Sequence, residues 1–187
     1  MYKLLLITAG FPFGASETFL ENELPIIAGH FADVTILAIH NGDRTKRAVP
    51  DNCVVHYLSI KDDKQLKLKA LALMGSKWVK QEKKWIRDAY AQAVTGMHQK
   101  IMLMSLAKAK RIQKWIKKNI DDPQNTVAYS YWGDDAAVAL ALLQRKNFFA
   151  KAVCRVHGWD VYFDVHEFRY LPFRNLLVAY LENIFLI

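Results

Sequence analysis

The sequence predicts an α/β fold built on a parallel, doubly wound sheet. Three observations carry that prediction. Apolar runs of strand length recur along the chain, and the first of them, Lys3 to Thr8, is apolar almost throughout, as strands buried on both faces are. Segments of helical spacing lie between these runs, so strands and helices alternate. Two of the runs lead into loops that carry glycine, aromatic and ionisable residues, and an open α/β sheet holds its ligands beyond the carboxyl ends of its strands.

The elements follow in order. Lys3 to Thr8 is the first strand. Glu17 to His30 reads as a helix with Ser16 as N-cap and Glu17 placed for the macrodipole. Phe19, Leu20, Leu24, Ile27 and Ala28 form its apolar stripe, and Pro25 should kink it or delay its regular part. Val34 to Ile39 is a second strand, Asn41-Gly42-Asp43 a turn, and Val54 to Leu58 a short third strand. From Asp62 to Ile120 nothing resembles a strand; Gly75 and Gly96 punctuate two or three helices. In the last of these, Met102, Leu106, Ala109, Ile112 and Ile116 define one face, with Lys108, Arg111, Lys114 and Lys118 opposite and Asp121-Asp122-Pro123 as the stop. Alternation then resumes. Thr126 to Ser130 is a strand, Asp134 to Arg145 an Ala- and Leu-rich helix, Ala150 to Val156 a strand, Phe173 to Leu181 a short helix, and Asn183 to Ile187 a final apolar run. A core strand normally leads into a further element, so ending on such a run suggests a fragment or an isolated domain.

The 187 residues, 52% hydrophobic and 24% charged, suit one domain with a substantial core and argue against disorder. No apolar run reaches the roughly 18 residues of a membrane span, and the amino-terminal run is too short for a signal-peptide core; the expected location is cytoplasmic. Cys53 and Cys154 sit in apolar strand contexts and read as buried free thiols. The net charge of +8 is uneven: residues 61–118 hold sixteen basic against four acidic side chains, and the rest of the chain ten against fourteen. The basic helices, with Trp78, Lys83, Lys84, Trp85, Lys108 and Arg111 and also Trp115, suit an anionic membrane surface, because tryptophan and lysine are the usual interfacial pair. A solvated basic face is the alternative. Nucleic acid could use the same lysines through phosphate contacts, but no recognition motif is present.

Two loops hold the candidate site. Gly10 and Gly14 flank the loop leaving the first strand, where glycine allows positive φ and close backbone approach to a ligand, and the following helix aims its amino end at the same place. The loop is neither the dinucleotide fingerprint nor a P-loop, and a plain strand–helix turn would also explain it. Glu17, Glu21 and Glu23 include candidate general bases, or carboxylates serving the helix dipole. His157, with Gly158 and Asp160 beside it after a buried strand, is the leading functional candidate. Tyr131 and Trp132 end another strand beside Gly133 and could stack on a ring or pack in the core. Arg155 lies within the strand before His157.

Taken together, four segments resemble the amino-terminal domain of bacterial family-4 retaining glycosyltransferases of polysaccharide synthesis. They are Gly10-Phe11-Pro12-Phe13-Gly14-Ala15-Ser16-Glu17-Thr18-Phe19-Leu20-Glu21-Asn22-Glu23, Tyr129-Ser130-Tyr131-Trp132, Arg155-Val156-His157-Gly158-Trp159-Asp160-Val161-Tyr162 and Tyr170-Leu171-Pro172-Phe173-Arg174. The resemblance covers most of the chain outside the basic helices at 61–120. It implies one Rossmann-like half, residues 1–187, of a GT-B architecture, with the donor-binding carboxyl-terminal domain absent. The paired glutamates of that family's donor domain have no counterpart here: no two of Glu17, Glu21, Glu23, Glu82, Glu167 and Glu182 are eight apart.

The resemblance further implies a hexosyltransferase fragment that is inactive alone. In that reading His157 supports the reacting sugar, with its tautomer set by a carboxylate such as Asp160. Gly10, Phe11, Gly14, Glu17, Thr18, Tyr131, Trp132 and Arg155 meet a glycan or lipid-linked acceptor. A UDP- or GDP-linked sugar is held mainly by the missing domain, with no metal and no cofactor bound by this half, and the enzyme sits peripherally on the inner face of the cell membrane. Two other readings stay open: a stand-alone Rossmann-like protein that binds a small molecule or nucleotide, and a basic membrane-surface module without chemistry.

Overall fold

The computed structural model describes residues 1–39, 45–60, 63–90 and 93–187, without the side chains of residues 89 and 90. The expected turn at Asn41-Gly42-Asp43 lies outside the described residues. Six parallel strands, β1 (Lys3–Thr8), β2 (Val34–Ala38), β3 (Cys53–Tyr57), β4 (Thr126–Ser130), β5 (Lys151–Val156) and β6 (Asn183–Leu186), form one sheet in the order β3-β2-β1-β4-β5-β6. This is the doubly wound, Rossmann-like order, and the direction of winding reverses between β1 and β4. There Leu6 lies opposite Ile36 on one side and Tyr129 on the other.

The alternation of side chains along a strand divides the core in two. Leu4 and Leu6 point into a cluster completed by Phe11, Tyr131 and helix α1 (Phe19–Ala28), with Leu20, Leu24 and Ala28 turned inward. Leu5 and Ile7 point into a larger cluster built by α4 (Gly96–Asn119) and α5 (Asp135–Gln144). Because both faces of β1 are covered, its sequence shows no polar alternation.

The basic segment forms three helices, α2 (Lys64–Ala72), α3 (Lys77–Tyr90) and α4. Met102, Leu106, Ala109, Ile112 and Ile116 are all fully buried, as their spacing predicts, so α4 supplies one wall of the core and turns its lysines outward. Trp78, Trp85 and Trp115 are half-buried and pack against that core; Trp78 also receives the guanidinium of Arg145 over its ring and Trp115 meets the ring of His56. Their rings belong to the helix packing more than to a free interfacial face.

Helix α3 is pinned by a buried carboxylate. Glu82 is 1% exposed, and its Oε1 accepts hydrogen bonds from Tyr170 Oη and Phe173 N, both at 2.8 Å. Burial pushes its pKa above the usual carboxylate range against these two bonds and the charge of Arg174.

Several boundaries differ from the sequence reading. The first helix starts at Phe19, with Thr18 rather than Ser16 at the N-cap position and no side-chain cap bond, because Glu17 is used elsewhere. The single-turn helix α6 (Gly158–Val161) follows β5, and α7 (Arg174–Tyr180) precedes β6. The last strand, read as a core strand, is an edge strand with Phe185, Leu186 and Ile187 exposed. Both cysteines are free; Cys154 is buried and Cys53 only half-buried. No described helix is long and apolar enough to cross a membrane.

Candidate functional site at the carboxyl ends of β1, β4 and β5

Strands β1 and β4 each end on a hydroxyl residue that folds the chain into the next loop. Thr8 Oγ1 donates to the Phe11 carbonyl at 2.6 Å and Ser130 Oγ to the Trp132 carbonyl at 2.7 Å. The peptide Phe11-Pro12 is cis, and Gly14 and Glu17 both have positive φ, 64° and 55°. Glycine takes that conformation freely, whereas a glutamate is held there against its preference.

The reason is the Glu17 side chain. Its Oε2 accepts from the backbone N–H groups of Gly10 and Phe11, each at 2.7 Å, and its Oε1 from Ala9 N at 3.0 Å and Trp132 Nε1 at 2.7 Å. Three consecutive amides form a concave nest of the kind that binds anions, and the chain's own carboxylate occupies it. Glu17 is thus a bridge between the β1 and β4 loops.

Trp132 carries the bridge onward. Its ring lies 4.3 Å from that of His157 at 39°, and Tyr131 lies 5.5 Å from the same imidazole. His157 therefore stands on an aromatic floor at the end of β5, with its side chain 24% exposed. Asp160 is 3% exposed and its Oδ2 accepts from the His157 backbone N–H at 3.1 Å. The same oxygen is 3.7 Å from His157 Nδ1, too far for a hydrogen bond, and Nδ1 is buried with no partner among the described residues. Asp160 therefore holds the loop through the His157 backbone, with its carboxylate beside the imidazole but not hydrogen-bonded to it. Gly133 lets the two strand ends approach: a Cβ there would lie 2.6 Å from Val156 Cγ1 and 3.2 Å from Asp160 Cβ.

A second ionic cluster supports the first. Arg155 Nη1 donates to both oxygens of Glu23, at 3.0 and 2.8 Å, and to Tyr131 Oη at 2.9 Å, while its guanidinium lies 4.8 Å from the centre of the Tyr131 ring. Burial works against the Arg155 charge, but Glu23 and the two neighbouring tyrosines outweigh it and raise its pKa. Burial also pushes the Tyr129 hydroxyl up to about 12.

The sequence-predicted residues thus divide. Glu17, Trp132, His157 and Asp160 come together, and Gly10 contributes its amide. Phe11 is 0% and Tyr131 2% exposed; their side chains are core, so their part in the site is packing. Thr18 is exposed at the helix start, and Gly14 donates its N–H to the Thr45 carbonyl. Arg155 belongs to the ionic support. Sequence reasoning missed Arg47. It donates to Glu21 Oε1 at 2.6 Å and to the Ser16 carbonyl, and it covers the Phe11 ring at 4.7 Å, strapping the first loop from β3's side. An arginine in a short basic run, beside Lys46 and Arg44, carries no local signal of that role. Among the described residues no group of three or more His, Cys, Asp or Glu side chains could hold a metal ion.

No protein-family model matches the chain, and no curated protein matches it.

The arrangement is a partly exposed imidazole on an indole floor and a carboxylate braced by three backbone amides and that indole, at the strand ends where the sheet reverses. The amides are already taken by Glu17, so the group left to orient a ligand's hydroxyls is the imidazole of His157, held on its aromatic floor.

Proposed function

We propose that this chain is the acceptor-side domain of a retaining glycosyltransferase, moving a hexose from a nucleotide-sugar to a glycan or lipid-linked acceptor. One observation carries the reading: Glu17, Trp132 and His157, from three of the segments that resemble family-4 glycosyltransferases, meet through direct contacts at the reversal point of the sheet. In this reading His157 hydrogen-bonds hydroxyls of the reacting sugar. Asp160 is a positioning residue that holds the loop, and the Glu17 bridge keeps the indole under the imidazole. Diphosphate stabilisation would come from a partner domain that binds the UDP- or GDP-sugar.

The test is hexose transfer from radiolabelled nucleotide-sugars to a polyprenol-linked acceptor, with the chain supplied together with a donor domain in trans. Transfer that is lost in His157→Ala, with the fold unchanged, supports the reading. Binding of a nucleotide-sugar by the chain alone, without any transfer in the mixture, would replace it with a stand-alone binding protein.

A second reading concerns location. Leu68, Leu71 and Met74, on and just after α2, are exposed beside Lys64, Lys67 and Lys69, an apolar strip with a cationic margin that suits the inner face of an anionic membrane. Sedimentation with phosphatidylserine vesicles should fall with salt and with Leu68→Glu; equal binding to neutral vesicles would remove this reading.

A further inference from the structure

A cavity of about 250 Å³ opens behind the His157 loop, between α4, the start of α5, α6 and the segment leading to α7. It is separate from the Glu17–Trp132 bridge, and Asp160 forms the wall between them. Its volume falls just below the ~300–1,000 Å³ of drug-sized sites. That is the scale of one small ring.

The lining selects the chemistry. Asp134, Asp135 and Asp160 present carboxylates, which only accept hydrogen bonds when ionised. Arg174 presents a guanidinium, which only donates, and its Nη1 is buried with no partner among the described residues. Ser105, 5% exposed on the inner face of α4, lines the same cavity, and its hydroxyl also has no partner among the described residues. Buried polar atoms are nearly always hydrogen-bonded, so two orphaned ones on one cavity mark where a ligand's polar atoms go. A pure anion could satisfy Arg174 but would face three carboxylates. A pure cation could satisfy the carboxylates but not Arg174. Hydroxyl groups both donate and accept, and serve both. Trp159, 61% exposed at the cavity and packed 4.5 Å from the ring of His166, offers an apolar face for the C–H side of a sugar ring.

Charge narrows the class further. Three carboxylates against one guanidinium leave the cavity net negative. Desolvation, then the charges of Asp135 and Asp160, push the Asp134 carboxyl upward, while its exposed position lets water soften that push.

We propose that this cavity binds a single polyhydroxylated ring of monosaccharide size, neutral or bearing an ammonium group, and excludes the corresponding acid. The inference stands on the cavity alone and does not require the chain to be a transferase.

The experiment is an NMR titration of the intact chain with three probes at matched ionic strength: glucosamine, glucose and glucuronate. Glucosamine and glucose should shift the Trp159 indole N–H, assigned through Trp159→Phe, with glucosamine the tighter. Ser105→Ala loses no internal hydrogen bond and should keep the fold while weakening binding roughly fivefold, the worth of one hydrogen bond. Ser105→Leu, which fills the cavity, should abolish it. Binding of glucuronate as tightly as glucosamine, shifts that map elsewhere, or an unchanged affinity in a folded Ser105→Leu would each overturn the proposal, as would the absence of any shift with all three probes. None of these readouts involves sugar transfer, so they stand or fall separately from the proposed activity.

Discussion

Trp132 donates its indole N–H to the carboxylate of Glu17 at 2.7 Å, across 115 positions of sequence. The same carboxylate accepts three backbone N–H groups, so every hydrogen bond it makes comes from a donor. That sets a sharp condition on the residue. Glu17→Gln would replace one oxygen by an NH₂ group and face donors with a donor. The variant should lose about 1–3 kcal/mol, the range for hydrogen bonds to a charged group in a partly exposed setting, and the Trp132 indole resonance should move. A wild-type stability and an unmoved resonance, by urea unfolding and ¹⁵N NMR, would show that the bridge does not hold the two loops.

The second prediction concerns Arg155 and Glu23. Their side chains are 16% and 33% exposed, between the surface and buried limits. A double-mutant cycle with Arg155→Met and Glu23→Gln should give a coupling of about 0.5–1.5 kcal/mol, above the value for exposed pairs. Arg155→Lys should recover part of it, because a single nitrogen makes all three bonds, but it gives up the planar guanidinium over the Tyr131 ring. A coupling near zero would reduce the pair to a surface contact.

Gly133→Ala forces a methyl to within 2.6 Å of Val156 Cγ1. We expect a loss of about 1–3 kcal/mol, the usual cost of overpacking. Val156→Ala in the same chain should restore part of it by giving the methyl room. Because Asp160 Cβ is the next atom met, the His157 amide should shift in the single variant; a stable Gly133→Ala protein with unchanged amide spectra would contradict the close approach of the two strand ends.

Glu82 gives a pH dependence of definite sign. Burial raises its folded pKa above the ordinary 4.5, so just above that pH the folded state binds more protons than the unfolded state. Its contribution to stability is therefore present at low pH and declines as pH rises through the raised value. Glu82→Gln keeps an oxygen for Tyr170 and Phe173 and removes the titration. The difference in unfolding free energy between the two proteins should change with pH in that window, the variant gaining relative to wild type as pH rises. A pH-independent difference would mean that Glu82 is not desolvated as the fold implies.

How much of this was legible in the sequence follows from the range of each signal. The apolar run of β1 and the single buried face of α4 are local patterns, and each reads correctly because packing reuses residues that are adjacent or three to four positions apart. His157 and Trp132 were legible for a related reason: glycine and ionisable or aromatic residues directly follow a strand. For Glu17 the sequence leaves general base, ligand contact and helix dipole open, because its actual donors are amides six to eight residues earlier and an indole at the end of another strand. Arg47 and the Arg155–Glu23 pair were missed on the same grounds. Contacts between distant segments leave no periodicity, so the chemistry of the loops was visible while the wiring between them was not.

The strand order has a consequence for how the chain comes into being. β1 lies at the centre of the sheet, yet its second neighbour, β4, begins only at Thr126. A ribosome adding ~5–20 residues per second leaves roughly ten seconds in which β1, β2 and β3 exist as a half-sheet with one apolar flank unclaimed. The crevice that carries Glu17, Trp132 and His157 has no existence during that interval, because two of its three walls are not yet made. Long-range parallel pairing is slow to form and prone to misassociation, so newly made chains should depend on holdase chaperones until residue 157 has emerged, and the crevice should mature well after the half-sheet that carries Glu17.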